Sequence, residues 1–290
     1  MKRIAIVGPG AVGGVVAGWL AHTGRYEVTL CSRRPLPELV VEIAGRHLTS
    51  HPRVITDPSQ ATPVDWILVT TKAYDVPGAA LWIKTLGASG APVAVLQNGV
   101  EHRERFAPHL PAERIVPVVV DCPAERISPT YIRQRGPAKM VVSDDRPGAD
   151  FAALFAGTEV NVSLTSDFKT AVWRKLCLNT PGVISALVMK PSGVMHDEKL
   201  GELSLALTRE CIAVGRAEGA TLPDNLAESV LQNYRNAPPD SVNSLHGDRI
   251  AGRPTELDAR NGAVVRFGRK HGIPTPCNQM AVALLTAMST

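Results

Sequence analysis

Lys175, Asn179, Ser244 and Glu256 are polar side chains of the second half whose types allow proton transfer or hydrogen bonding. Lys175 and Asn179 lie four residues apart in Trp173-Arg174-Lys175-Leu176-Cys177-Leu178-Asn179, so on a helix they share one face. An ammonium on such a face can stabilise a developing oxyanion and hand over its proton. Val172, Leu176 and Cys177 flank that face with apolar bulk. Periodicity alone favours an ordinary amphipathic helix whose lysine snorkels to solvent. Glu256, in Arg253-Pro254-Thr255-Glu256-Leu257-Asp258, reads locally as an acid in the first turn of a helix. Ser244, twelve residues earlier in Asn243-Ser244-Leu245-His246-Gly247-Asp248, reads as a loop serine or a cap.

A second candidate lies near the start of the chain. Gly8-Pro9-Gly10-Ala11-Val12-Gly13 fits the pattern G-x-G-x-x-G and follows the apolar run Arg3–Val7 directly. In that context Gly8 makes a tight turn, Gly10 lets backbone approach a pyrophosphate, and Gly13 lets a helix lie close to a sheet. Amide groups at the helix start then face the phosphates. The second strand ends Leu30-Cys31-Ser32-Arg33-Arg34, with no carboxylate where a ribose 2′-hydroxyl would want one. A hydroxyl and two guanidiniums there suit a 2′-phosphate, so NADP(H) is expected over NAD(H). Two further strand ends, Thr70-Thr71-Lys72 and Gln97-Asn98-Gly99, place Lys72 and Asn98 where a nicotinamide ribose or a substrate acid would sit. Asn98-Gly99 is equally good turn chemistry.

These residues need a framework of alternating strands and helices. Strands are expected at Arg3–Val7, Glu27–Cys31, Trp66–Thr70 and Val93–Leu96, with helices at Ala11–His22 and Asp75–Leu86. The alternation predicts a doubly wound parallel α/β sheet of Rossmann type. Ile115–Val120, Thr130–Arg133, Met140–Val142 and Val160–Leu164 read as an antiparallel extension of that sheet. From Ser166 the texture is helical, with helices expected at Asp167–Asn179, Leu200–Gly219, Pro254–Gly272 and Pro276–Met288. The expected domains are therefore 1–165, binding dinucleotide, and 166–290, helical and carrying the substrate and catalytic groups. A chain of 290 residues is long enough for two such cores. A net charge of +4 from 31 basic and 27 acidic residues is too small and too scattered to indicate nucleic acid, and suits a small anionic ligand. No apolar run is long enough to span a bilayer, and a start without a signal-peptide core points to the cytoplasm. Five dispersed cysteines without a CxxC pair indicate buried thiols. The eight histidines are scattered, and no metal site is expected.

Taken together, the chain resembles the ketopantoate reductase (2-dehydropantoate 2-reductase) family over nearly its whole length. GPGAVG at 8–13, TKAYD at 71–75, QNGV at 97–100, WRKLCLN at 173–179, the Ser244–Asp248 segment with TELD at 255–258, and the closing RKHGIPTP at 269–276 carry the likeness. The glycine motif is shared with many dehydrogenases; the ordered pair KLxxN and TELD is specific. The resemblance implies a Rossmann domain and a helical domain with the active site in the cleft between them. It also implies NADPH-dependent reduction of 2-dehydropantoate to (R)-pantoate, on the route to pantothenate and coenzyme A. Lys175 matches the family's proton donor and Glu256 its substrate-binding acid. Asn98, Asn179 and Ser244 match polar positions around the substrate, and Lys72 a lysine on the cofactor or substrate side. Helical second domains of such enzymes often self-associate as homodimers, although no heptad or exposed apolar stripe specifies one here.

Two positions depart from the family: Val183 and Ser192 stand where asparagines are common. Both changes remove amides expected near the substrate's distal hydroxyl, and losing a polar partner can shift specificity. An NADP-dependent reductase of another 2-keto acid is therefore the alternative reading. A non-catalytic NADP-binding regulator is a third, disfavoured because a sensor needs no proton donor.

Overall fold

The computed structural model describes residues 1–288 and divides the chain into two compact units. The first comprises Met1–Gln97 and His102–Phe168; the second comprises Asn98–Glu101 and the chain from Lys169 onward.

In chain order the first unit runs β1 (Lys2–Val7), α1 (Ala11–His22), β2 (Tyr26–Cys31), β3 (Leu39–Ile43), β4 (Arg46–Ser50), β5 (Arg53–Ile55), β6 (Trp66–Val69), α2 (Val76–Leu86), β7 (Val93–Val95), α3 (His102–Phe106), β8 (Ile115–Pro117), β9 (Val119–Asp121), β10 (Ala124–Arg126), β11 (Tyr131–Gln134), β12 (Lys139–Ser143), α4 (Arg146–Leu154) and β13 (Asn161–Thr165). The main sheet has the order β5-β2-β1-β6-β7-β8 and every pair in it is parallel. That order is the doubly wound dinucleotide-binding arrangement, in which the chain reverses direction across the sheet beside β1. The central strands β1, β6 and β7 read as unbroken apolar runs because both faces are covered.

Helix α1 is buried from Gly13 to Leu20, almost all the way round. It packs on the main sheet and also against a second sheet of order β10-β11-β3-β4. Its small residues are the cause: a Cβ on Gly14 would strike Ile132 of β11. The hairpin β3–β4, unmarked in the sequence reading, turns at Ala44 and Gly45, both at positive φ (47° and 79°).

The stretch after Arg114 does not form the expected antiparallel extension. β8 completes the parallel sheet, and β10 and β11 join β3 and β4, with β11 parallel to β3. β9, β12 and β13 make a third, mixed sheet, in which β12 pairs parallel to β13 and antiparallel to β9. Strand content is local, but strand partners are set by long-range packing.

The helical chain continues with α5 (Phe168–Asn179), α6 (Val183–Val188), α7 (Glu198–Ala217), α8 (Leu226–Asn236), α9 (Ser244–Ile250), α10 (Ala263–His271) and α11 (Pro276–Ala287). α7 starts at Asp197, whose carboxylate accepts from the Leu200 amide at 3.0 Å. An apolar cluster including Val183, Ile184, Leu207, Leu231, Leu245, Leu257 and Leu285 ties α6, α7, α8, α9 and α11 together. The continuous helix expected over 254–272 is interrupted. Residues 253–256 have no regular secondary structure, and a π-helical turn, Asp258–Gly262, precedes α10. The Leu257 carbonyl accepts from both the Arg260 and Gly262 amides (3.2 and 3.0 Å). This wide turn buries Ala259, Arg260, Asn261 and Gly262 together.

Met280, Leu284 and Met288, four residues apart along α11 and its end, are about half exposed, an apolar row the sequence reading had not expected. Cys31, Cys177 and Cys211 are buried as expected, whereas Cys122 and Cys277 are only partly so. No helix among the described residues is long and apolar enough to cross a membrane.

Candidate functional site

The glycine loop runs from the end of β1 into α1. Gly8 has φ +80°, and a Cβ there would collide with Thr71 in the loop after β6. Its amide donates to the Cys31 carbonyl at 3.0 Å, and its own carbonyl accepts from the Thr70 hydroxyl at 2.8 Å. Pro9 follows it in the turn. A Cβ on Gly13 would strike Thr70, so α1 can approach the sheet only through a glycine. Gly10 differs: the nearest atom to a Cβ there is the Gly8 carbonyl oxygen at 3.9 Å. Its bareness serves open space, not packing.

Gly10 also caps α1 with no side-chain acceptor, and the first turn, which holds Ala11, Val12 and Gly13, carries no acid. The first amides of a helix have no intrahelical partner and sit at the positive end of its dipole. Bare backbone, unsatisfied donors and the absence of a carboxylate fit the diphosphate of a dinucleotide.

Beyond β2, the Ser32 amide donates to the Ile55 carbonyl (3.1 Å) and its hydroxyl accepts from the Arg34 amide (3.4 Å). Arg33 forms an ion pair with Asp75. Arg126, on β10, was not singled out from sequence. Burial lowers its pKa, and the like charge of Arg34 beside it lowers it further. Two guanidiniums close enough to repel one another mark a place that favours an anion. Lys72 stands at the end of β6, where its carbonyl accepts from the Asp75 amide (2.9 Å) and from Gln97 Nε2 (3.3 Å). Buried Gln97 also donates to Thr71 Oγ1 at 2.9 Å, which fixes that loop.

In the second unit, Lys175 and Asn179 share a half-buried face of α5, while Val172, Trp173, Leu176 and Cys177 fill its buried side. Asn179 Nδ2 donates to Asn98 Oδ1 at 3.3 Å, and Asn98 Nδ2 donates to Glu256 Oε2 at 3.0 Å. Residues distant in sequence thus form one line of amides ending on a carboxylate. Glu256 is only 5% exposed and lies in the irregular stretch before the π turn, not in the first turn of a helix. Gly99, at φ +107°, lets the Asn98 loop approach Ala259; a Cβ would sit 2.8 Å from the Ala259 carbonyl oxygen.

Ser244, the first residue of α9, is exposed and is reached from behind by Arg260, whose Nη1 donates to Ser244 Oγ at 3.1 Å. Arg260 also donates through Nη2 to the Asn179 carbonyl. The sequence reading missed Arg260. The available signal was a guanidinium four residues after Glu256. Val183 and Ser192 do not aim polar groups at these residues. Val183 lies in the apolar cluster, and the Ser192 hydroxyl donates to the Ser241 carbonyl at 3.0 Å.

Among the described residues no group of three His, Cys, Asp or Glu is placed to hold a metal ion. His47 and His51 are four apart, but the first lies on β4 and the second just beyond it, so the spacing does not put them on one helix face.

A parallel sheet of this order, a bare glycine loop feeding α1 and a lysine-bearing helical unit define a Rossmann-type dehydrogenase. The N-terminal model of the ketopantoate reductase PanE/ApbA family matches residues 4–146 and its C-terminal model matches residues 167–289. The chain is 50% identical over 287 residues to a 2-dehydropantoate 2-reductase of Caulobacter vibrioides, covering 99% of each. It is 39% identical to one of Mycobacterium tuberculosis over 99% of this chain and 97% of the relative. A crystal structure of a PanE/ApbA family ketopantoate reductase from Ralstonia eutropha superposes with a TM-score of 0.90 at 31% identity, covering 99% of this chain and 98% of that one. This chain belongs to the ketopantoate reductase family.

Proposed function

We infer that the protein reduces the keto group of 2-dehydropantoate to give pantoate, with NADPH as reductant and Lys175 as proton donor. The observation that carries this reading is the line Asn179–Asn98–Glu256 beginning one helical turn beyond Lys175. The glycine loop Gly8–Gly13 would hold the dinucleotide, whose chemistry when bound would be hydride donation to the carbonyl carbon. Lys175 stabilises the negative charge that grows on the carbonyl oxygen and transfers a proton to it from Nζ. The proton is replaced from solvent after the alcohol forms. Glu256, oriented by Asn98, accepts a hydrogen bond from a substrate hydroxyl, and Asn179 and Ser244 complete the polar contacts. The reading is that of a cytoplasmic biosynthetic reductase drawing on NADPH.

Ser32, Arg33 and Arg34, with Arg126 beside them, are assigned to the 2′-phosphate. Arg33 must be shared with Asp75. Lys72 and Asn98 lie at strand ends suited to the ribose and the acid. The amides lost at Val183 and Ser192 favour a second reading in which another 2-oxo acid is the better substrate.

Following NADPH oxidation across 2-dehydropantoate and several 2-oxo acids tests both readings. The expected result is the highest kcat/KM on 2-dehydropantoate. Faster turnover of a different acid selects the second reading, and tighter binding of NADH than of NADPH overturns the cofactor assignment.

A further inference from the structure

The C-terminal end of α5 is held by side chains that lie far away in sequence. The carbonyl of Leu178 accepts from the Tyr234 hydroxyl (3.1 Å), that of Thr180 from Asn261 Nδ2 (3.1 Å) and that of Gly182 from Asn243 Nδ2 (3.0 Å). The Asn179 carbonyl accepts from Arg260. The last carbonyls of a helix lack intrahelical donors and form the negative end of its dipole, where a cation is favoured. α5 has no basic residue in its own last turn. Arg260 supplies that charge from the π turn, and it does so while 2% exposed.

The same guanidinium fixes Ser244. Arginine has five N–H donors and no acceptor, so in the Nη1–Oγ contact the serine oxygen accepts. The hydroxyl hydrogen of Ser244 is thereby left for an outside acceptor, and the charge behind the oxygen strengthens that donation. A ligand meets an exposed hydroxyl with a sealed cation at its back. Burial lowers the Arg260 pKa, and the charges of Tyr234, buried Glu256 and Asp248 oppose that shift and favour the ionised guanidinium. Without Arg260 the Glu256 carboxylate would repel an anionic substrate.

We propose that Arg260 is the positioning residue that makes this site select a carboxylate: it presents Ser244 as a charge-backed donor and anchors the end of the helix that bears Lys175. The proposal rests on the reading that the protein reduces a 2-oxo acid. Because Arg260 stays buried, it acts through Ser244 and Asn179 and does not itself meet the substrate.

The test compares, on the full-length protein with NADPH, kcat/KM for 2-dehydropantoate and for its neutral carboxamide. In Arg260→Met the preference for the acid is expected to fall about tenfold or more, with KM rising more than kcat falls. NADPH affinity, read by its fluorescence, stays within about twofold. Arg260→Lys, which keeps a charge, recovers part of the preference. Should Arg260→Met fail to fold by circular dichroism, Arg260→Lys and Ser244→Ala carry the measurement: the first is expected to lose part of the preference for the acid and the second more of it. Equal slowing of both substrates, with the preference intact, overturns the proposal and leaves Arg260 a purely structural residue. Absence of turnover of any 2-oxo acid by the unaltered protein overturns the functional reading and the proposal with it.

Discussion

The glycine loop of the first unit and the polar cluster of the second offer hydrogen bonds by opposite means. The loop works with backbone: its glycines are bare, its donors are amides, and the residues around it are apolar strands. The cluster works with side chains from four separate stretches, joined by Asn179–Asn98–Glu256 and by Arg260 to Ser244 and Asn179. Backbone suits a group such as a diphosphate that is identical in every cofactor molecule. Side chains suit a substrate whose few oxygens must be told apart, because each buried polar group left without its partner costs affinity. Specificity can therefore change in the second region while the first stays as it is, as Val183 and Ser192 suggest.

If that division holds, damage should segregate. The largest effect is expected from Lys175→Ala: kcat falls on the order of a hundredfold or more, typical for loss of a general acid. NADPH affinity by fluorescence titration is unchanged; an activity close to that of the unaltered protein would remove Lys175 from the mechanism. Gly8→Ala strikes the other region. Its positive φ and the collision with Thr71 should lower stability by about 2 kcal/mol in denaturant unfolding and weaken NADPH binding about tenfold. Normal NADPH binding in that variant would show that the loop is not the cradle. Asn98→Ala removes the donor to Glu256 and the acceptor for Asn179, so KM for the 2-oxo acid should rise about tenfold with NADPH affinity preserved. A loss of NADPH affinity instead would place Asn98 on the cofactor side and blur the division.

The smallest effect concerns stability. His246 in α9 is 2% exposed, neither ring nitrogen has a hydrogen-bond partner, and burial, then the charge of Arg249, lowers its pKa. The unfolded chain then takes up the proton more readily than the folded one. Stability contributed by the neutral ring is full above the unfolded value of about 6.5 and is lost as pH falls from there towards the folded pKa. Between pH 7.5 and pH 5, Tm of the unaltered protein should drop on the order of 3 °C further than that of His246→Leu. Equal drops would discount this histidine.

Much of the first region was legible in sequence, because its signals are local. The apolar run of β1, the glycine spacing and the small residues of α1 are contiguous, and each has one dominant physical reading. Lys175 and Asn179 were legible for the same reason, since four residues on a helix fix a shared face. The hairpin β3–β4 was not, although Ala44-Gly45 marks its turn, because its partner β11 lies some ninety residues further on. Helix α8 carried a readable pattern in Leu226, Val230, Leu231 and Tyr234 that went unused. Arg260 was hard to read for a different reason: a charged residue in a predicted helix is ordinarily solvated, and the partners that accompany its burial, Ser244 and Asn179, lie far away in the chain.

The sequence by itself determined the dinucleotide loop, the alternation that builds the sheet, and the helix face bearing Lys175 and Asn179, because each depends on spacing within one element. Only the tertiary structure decided that Asn98 joins Glu256 and Asn179, and that Arg260 is buried behind Ser244. Those contacts exist because buried polar groups must find partners wherever the folded chain brings them, and no local pattern records which partner that is.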